Sequence, residues 1–167
     1  MSKLKKKSLS SQPSAPRGDA LEGALRFLSY RPRSAAEVHN YLISRGYSAA
    51  AAAETLAKLH SLSYLNDELF ARNWAASKFT SRSYGPKRIE QELRSKGISE
   101  ALIRDVLRET CDPGCEADKA RSLLAKKFDS QDLADPKIVR RAVGFLQRRG
   151  YSSEVVFALL KYPAQDD

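Results

Sequence analysis

The sequence predicts an all-α protein built as three tandem three-helix repeats forming an elongated, curved molecule. Three observations carry this. Apolar residues recur at helical spacing almost without interruption from Asp19 onward, and no stretch alternates as a strand would. Three like turns, Arg45-Gly46-Tyr47-Ser48, Lys96-Gly97-Ile98-Ser99 and Arg149-Gly150-Tyr151-Ser152, follow one another at intervals of 51 and 53 residues. The frame around each glycine also repeats: Leu42, Leu93 or Leu146 stands four residues before it, and Thr55-Leu56, Val106-Leu107 or Leu159-Leu160 nine and ten after. That period fits a three-helix unit, and short units stacked in line touch mainly their neighbours. The expected units are 19–63, 64–111 and 112–163, between a basic disordered tail over 1–18 and an acidic end over 164–167.

In the first repeat, Leu21, Ala24, Leu25 and Leu28 mark a helix that Arg31-Pro32 ends, because a proline disfavours helical geometry at the residue before it. Ser34 and Glu37 form a Ser-x-x-Glu capping box for a second helix carrying Val38, Tyr41 and Leu42 and ending at Gly46. Ser48 caps a third, alanine-rich helix with Ala52, Thr55, Leu56 and Leu59 on its buried side.

The second repeat opens at Asn66-Asp67-Glu68, acceptors suited to the positive end of a helix. Leu65, Leu69, Phe70 and Trp74 are assigned to that helix's buried face. Ser83-Tyr84-Gly85-Pro86 must end it, Gly85 relaxing the backbone and Pro86 taking the first position of the next helix. Pro86, Ile89 and Leu93 are buried there, and Gly97 supplies a left-handed cap. Thr110-Cys111-Asp112-Pro113-Gly114 reads as the clearest loop of the chain. Beyond it, Ala120, Leu123, Leu124 and Phe128 mark one helix, and Asp135-Pro136 starts another with a cap and a proline.

Composition narrows the function. The chain has 167 residues, 42% of them hydrophobic, and no apolar run nears the roughly 20 residues that span a bilayer. The amino terminus lacks an apolar h-region, so no secretory signal and a cytoplasmic location are expected. Cys111 and Cys115 are too few for a disulfide framework; free thiols are expected, with a transient disulfide left open. They are also too few for a structural zinc site, which wants four ligands. His39 and His60 fall in different helices and read as surface or helix-end residues. There is no glycine-rich phosphate loop, no nucleophile triad order and no isolated carboxylate pair, so no enzyme, cofactor or metal is expected.

Net charge is +9, of which Lys3, Lys5, Lys6, Lys7 and Arg17 in the tail supply five without an acid. That tail reads either as a solubilising segment or as a source of non-specific attraction to nucleic acid. More telling is the second helix of repeats two and three. Lys137, Arg140, Arg141 and Arg148 fall on one side, Val139, Ala142, Val143 and Leu146 on the other, and no acid occurs over 136–150. Lys87, Arg88, Gln91 and Arg94 likewise oppose Pro86, Ile89 and Leu93, with Arg82 and Lys96 at the ends and Glu90 and Glu92 close by. A solvated face usually mixes signs, so an acid-free stripe points to an anionic partner. The candidate contacts are Arg82, Lys87, Arg88, Arg94, Arg140, Arg141, Arg148 and Arg149. The helices after the three turns read AAAAAETLAKL, EALIRDVLRET and SEVVFALLKY, too poor in base-reading donors for sequence-specific DNA recognition. DNA phosphates and an acidic protein groove both remain open as partners. No heptad seam demands a dimer, so a monomer is expected.

The stretch from Tyr64 to Ile98 resembles the RecX family, small bacterial regulators of the RecA recombinase. The likeness rests on Tyr64-Leu65-Asn66-Asp67, Phe70-Ala71, Trp74, Tyr84-Gly85-Pro86, Ile89, Glu92-Leu93 and Lys96-Gly97-Ile98 at this spacing. Arg33-Ser34, Glu37, Leu42 and Arg45-Gly46-Tyr47 resemble the family's first repeat. The resemblance implies a non-enzymatic regulator that lies in the helical groove of the RecA filament on single-stranded DNA and mainly inhibits its recombinase and ATPase activities. It supplies no site residues; the eight cations rest on the charge pattern. Phe70, Trp74 and Tyr84 are expected in the core. The alternatives are a direct, non-sequence-specific DNA-binding protein without a RecA partner, and a protein-only adaptor.

Overall fold

The computed structural model describes residues 18–160 apart from 130, 132 and 134. Of the tail expected over 1–18 only Gly18 falls among these residues, and the acidic end expected over 164–167 lies outside them. Among the described residues there are nine α-helices and no strand, in three tandem three-helix sets as expected. The chain divides into two compact units, Met1–Leu65 and Asn66–Asp167.

The first unit holds α1 (Ala20–Tyr30), α2 (Ala35–Ser44) and α3 (Ala49–Ser61). Each helix starts where an acceptor side chain can satisfy its unpaired first-turn N–H groups. Asp19 accepts from Leu21 N at 3.1 Å, and Ser48 accepts from Ala51 N at 3.1 Å. The Ser34–Glu37 capping box is complete in both directions, with Ser34 fully buried. Ala20, Ala24, Val38, Leu42, Ala52 and Leu59 form the core, flanked by Leu21, Leu25, Leu28, Tyr41 and Leu56. Phe27 stacks on Tyr41 at 4.1 Å between centroids. Leu65 also belongs to this core, not to the helix that follows it.

The second unit holds α4 (Asp67–Ser81), α5 (Pro86–Ser95), α6 (Glu100–Thr110), α7 (Pro113–Lys127), α8 (Pro136–Arg149) and α9 (Ser153–Leu160). Asn66 caps α4 through Leu69 N at 2.8 Å. The buried face of α4 is Phe70, Ala71, Ala75 and Phe79, whereas Leu69 is 57% exposed. This corrects the sequence assignment. Leu69 and Phe70 are neighbours about 100° apart on the helix, and the small residues Ala71 and Ala75, ignored by a search for large apolar side chains, fix which way the face turns. Ile89, Leu93, Ile98, Ile103, Val106 and Cys111 complete this core. A separate cluster of Ala120, Leu124, Phe128, Ala142, Val143, Leu146, Tyr151, Val155, Val156 and Leu160 holds α7, α8 and α9.

The loop expected over 110–114 shrinks to Cys111 and Asp112. Asp112 caps α7, accepting from Gly114 N at 3.1 Å, and Pro113 takes the first helical position. An Asp-Pro pair announces a helix start as readily as a turn. Cys115 is therefore an exposed residue of α7, and Cys111 is buried. Glu116, also buried, accepts the backbone N–H of Ser152 at 2.7 Å and so helps start α9.

Burial pushes the Cys111 thiol up to about 12, with the Glu116 charge adding to it. Burial likewise pushes the Tyr151 hydroxyl up to about 12, Arg149 opposing and Glu116 and Cys111 assisting. Both groups keep their protons in the folded chain at pH values where the unfolded chain, starting from 9.0 and 10.0, has released them. Stability is therefore expected to fall as pH rises from about 9 toward 12. Urea midpoints across that range test this; Cys111→Ala should make the decline shallower, and an identical decline in the variant would contradict the assignment.

Candidate functional site

The candidate site lies on α5 and α8, and a backbone joint positions it. The last carbonyls of a helix and the first N–H groups of the next lack partners of their own. Here one set meets the other. Gly85 N donates to Arg149 O at 2.8 Å and Lys87 N to Gly150 O at 3.0 Å. The Arg88 guanidinium donates to Arg148 O at 3.3 Å, and the Tyr151 hydroxyl to Ser83 O at 3.2 Å. Arg149 reaches back to donate to Arg82 O, the carbonyl after α4, at 2.5 Å. The negative end of the α8 dipole thus faces the positive end of α5.

Two glycines make this approach feasible. A Cβ on Gly85 would lie 2.4 Å from the Gly150 carbonyl carbon, and a Cβ on Gly150 would lie 2.4 Å from Arg88 N. Gly150 also adopts φ +84, a left-handed cap like the one expected at Gly97. Gly85 does not need unusual backbone freedom, since its φ is −78; the space it leaves is what matters. Ser83, at φ +50, holds the turn in the left-handed region beside it.

The joint brings two cationic grooves together. One, of about 400 Å³, is lined by Arg140, Arg141 and Arg148 of α8 and Lys127 of α7, with Gly144, Phe128 and Phe145 in its walls and no acidic residue among the described residues of its lining. The other, of about 450 Å³, is lined by Lys87, Arg88, Gln91, Glu92, Ser95, Gln147, Arg148 and Gly150. Arg148 lines both, so the cationic faces of α8 and α5 adjoin at that residue. Glu92 is occupied: it accepts from Trp74 Nε1 at 3.0 Å and pairs with Lys78 at 3.6 Å and Arg88 at 3.8 Å.

The eight candidates therefore separate by environment. Arg140, Arg141 and Arg148 are exposed along α8, Arg141 also donating to Gln131 at 3.3 Å. Lys87 is exposed on the second groove, while the Arg88 guanidinium carbon sits over the Tyr84 ring, 3.9 Å from its centroid. Arg82 is exposed at the end of α4, and its carbonyl and the Arg149 side chain tie the joint. Arg94 is held by Glu90 and Glu100, each at 2.6 Å, which raises its pKa and compensates its charge. Lys127 was missed in the sequence because α7 carries acids as well as bases, and only the fold shows that its last turn meets α8. Phe70 is buried, while Trp74 and Tyr84 pack partly buried against the same core, Trp74 with Lys96 at 4.0 Å and Lys78 at 4.4 Å over its ring.

Replacing Arg149 by Gln removes a charged donor from the Arg82 carbonyl and is expected to cost about 1 kcal/mol, less than the roughly 1.5–3 kcal/mol of a charged hydrogen bond because this one is exposed. Urea denaturation of the full chain measures this, and an unchanged midpoint would show that the bond contributes nothing.

Comparison with known proteins follows the same three-part division. Residues 20–59, 66–107 and 115–160 match, in order, the first, second and third three-helix domains of RecX. The chain is 34% identical over 154 residues to the regulatory protein RecX of Trichlorobacter lovleyi, covering 91% of this chain and 97% of that one. It is 36% identical over 142 residues to the regulatory protein RecX of Mycobacterium avium, covering 81% and 82% respectively. The crystal structure of RecX from Lactobacillus salivarius shares the fold with a TM-score of 0.74, at 24% identity over 85% of this chain and 92% of that one. With all three domains matched in sequence order and relatives this similar along most of its length, the chain belongs to the RecX family of regulatory proteins.

Proposed function

We propose that this protein binds the RecA filament on single-stranded DNA, in its helical groove, and restrains the filament's recombinase and ATPase activities. It acts in the cytoplasm as a monomer and without a cofactor or chemistry of its own. The observation that carries this reading is the joined pair of cationic grooves on a chain matched to RecX in all three repeats. A nucleoprotein filament offers what such a face needs, namely DNA phosphates beside a repeating protein surface. No helix among the described residues is long and apolar enough to cross a membrane.

The grooves differ in what they can hold. Around α5, Glu90, Glu92 and Glu100 already compensate part of the positive charge. Among the described residues the groove at α8 has no acid in its lining, which favours it as the stronger attraction for an anionic partner. ATP hydrolysis by RecA on single-stranded DNA tests the function directly. Adding this protein at a stoichiometric ratio should slow hydrolysis and shorten filament lifetime. Hydrolysis and lifetime both unchanged would sink the regulator reading.

A further inference from the structure

We propose that the groove between α7 and α8 seats the sugar–phosphate backbone of a single nucleic-acid strand, with the bare helix surface at Gly144 as its floor. The inference rests on the functional reading of the cationic face and names what that face touches.

Arg140, Gly144 and Arg148 stand at i, i+4 and i+8, one line along α8. Glycine inside a helix costs stability, so a packing reason is expected wherever one occurs. The cap glycines Gly85 and Gly150 have a packing reason of their own, the backbone of the facing repeat. At Gly144 there is none: a Cβ would meet only the Arg148 guanidinium, at 3.1 Å, the movable end of an exposed side chain. What the glycine does provide is a stretch of helix without a side chain, overlain only by the flexible Arg148 guanidinium, where a bulky anion can settle against the helix and pair with that group. Lys127 closes the groove from the end of α7, and every charged group among the described residues of the lining is a donor.

A strand fits this better than an acidic protein surface. Arg140 and Arg148 lie about 12 Å apart along the axis, at 1.5 Å per residue, with Arg141 between them. A polymer bearing a charge on every unit meets such a row in any register, whereas carboxylates must match it one by one. Guanidinium forks suit phosphate oxygens, and the partly buried Phe145 offers the sugar an apolar wall.

The test uses fluorescence anisotropy of a labelled oligothymidylate with the full chain, and in parallel with RecA filaments. Gly144→Leu adds bulk without changing charge and uses a good helix former. It is expected to keep or raise Tm, by about 2 °C, and to weaken oligothymidylate binding about tenfold, in the range of losing one good contact. Lys127→Gln and Arg140→Gln, which do not depend on how Gly144→Leu folds, should each flatten the log–log salt slope by about 0.7. Pyrophosphate should compete only weakly; competition as strong as that of the strand would make this a site for free phosphates and overturn the proposal. Wild-type affinity in Gly144→Leu would also overturn it. So would variants that weaken filament binding while bare strand is never bound, since the groove would then meet RecA. That last result would leave the regulator reading intact, and only the absence of filament binding by the wild-type chain would remove both.

Discussion

Alanine at Gly85 or Gly150 is expected to break the joint between the second and third repeats, at a cost of about 3 kcal/mol or more. At Gly85 the added Cβ would fall 2.4 Å from three backbone atoms of Gly150 and Tyr151, none of which can rotate away. Relief requires the two helix ends to separate, which also breaks the bonds from Gly85 N and Lys87 N. Gly150 adds a second penalty, since alanine at φ +84 is strained whatever the space. Gly114 supplies the control. A Cβ there would meet only the exposed Asp112 carboxylate, at 3.2 Å, so Gly114→Ala should cost less than about 1 kcal/mol. Urea unfolding separates the cases, and hydrogen exchange at the Gly85 and Lys87 amides reports the joint itself. If Gly85→Ala unfolds like Gly114→Ala, the close approach is not what holds these repeats together.

The second large effect concerns binding. Reversing charge at Arg140, Arg141 and Arg148 together should weaken attachment to the RecA filament by about 100-fold or more while leaving the fold intact. All three side chains are exposed, and the α8 core contacts are made by Ala142, Val143 and Leu146. Reversal replaces attraction with repulsion at a groove whose described lining carries cations and no acid, so the loss should exceed that of neutralisation. Arg94→Gln is the contrasting case. Its guanidinium is already shared between Glu90 and Glu100, so binding should change by less than about threefold, although the helix ends it links become looser. Equal loss from Arg94→Gln and from the triple variant would mean that net charge alone, rather than the α8 face, governs attachment.

Much of this fold is legible in the residues. Helix starts at Ser34, Ser48, Asn66 and Asp135 follow from local hydrogen bonding, which needs only a few consecutive residues. The repeat is legible because its glycines must adopt positive φ at Gly46, Gly97 and Gly150. What escapes the sequence depends on contacts between distant segments. Gly85 looks like an ordinary turn glycine, and only the approach of Gly150, 65 positions later, shows why a side chain is barred. Glu116 looks like a surface acid until Ser152 N is found against it. The charge stripe on α8 is visible in periodicity, but neither Lys127 across the groove nor the carboxylates around Arg94 can be placed without the packing. Leu69 shows the opposite limit: hydrophobicity placed it inside, and two alanines decided otherwise.

Titration of the chain against naked and RecA-coated single-stranded DNA, each at low and high salt, tests the central claim most directly. Attachment to the coated strand should be the tighter of the two and should weaken with salt, with a slope that the Arg140, Arg141 and Arg148 reversal reduces. Equal affinity with and without RecA, or no attachment to the coated strand at either salt, would contradict a regulator that works through the filament.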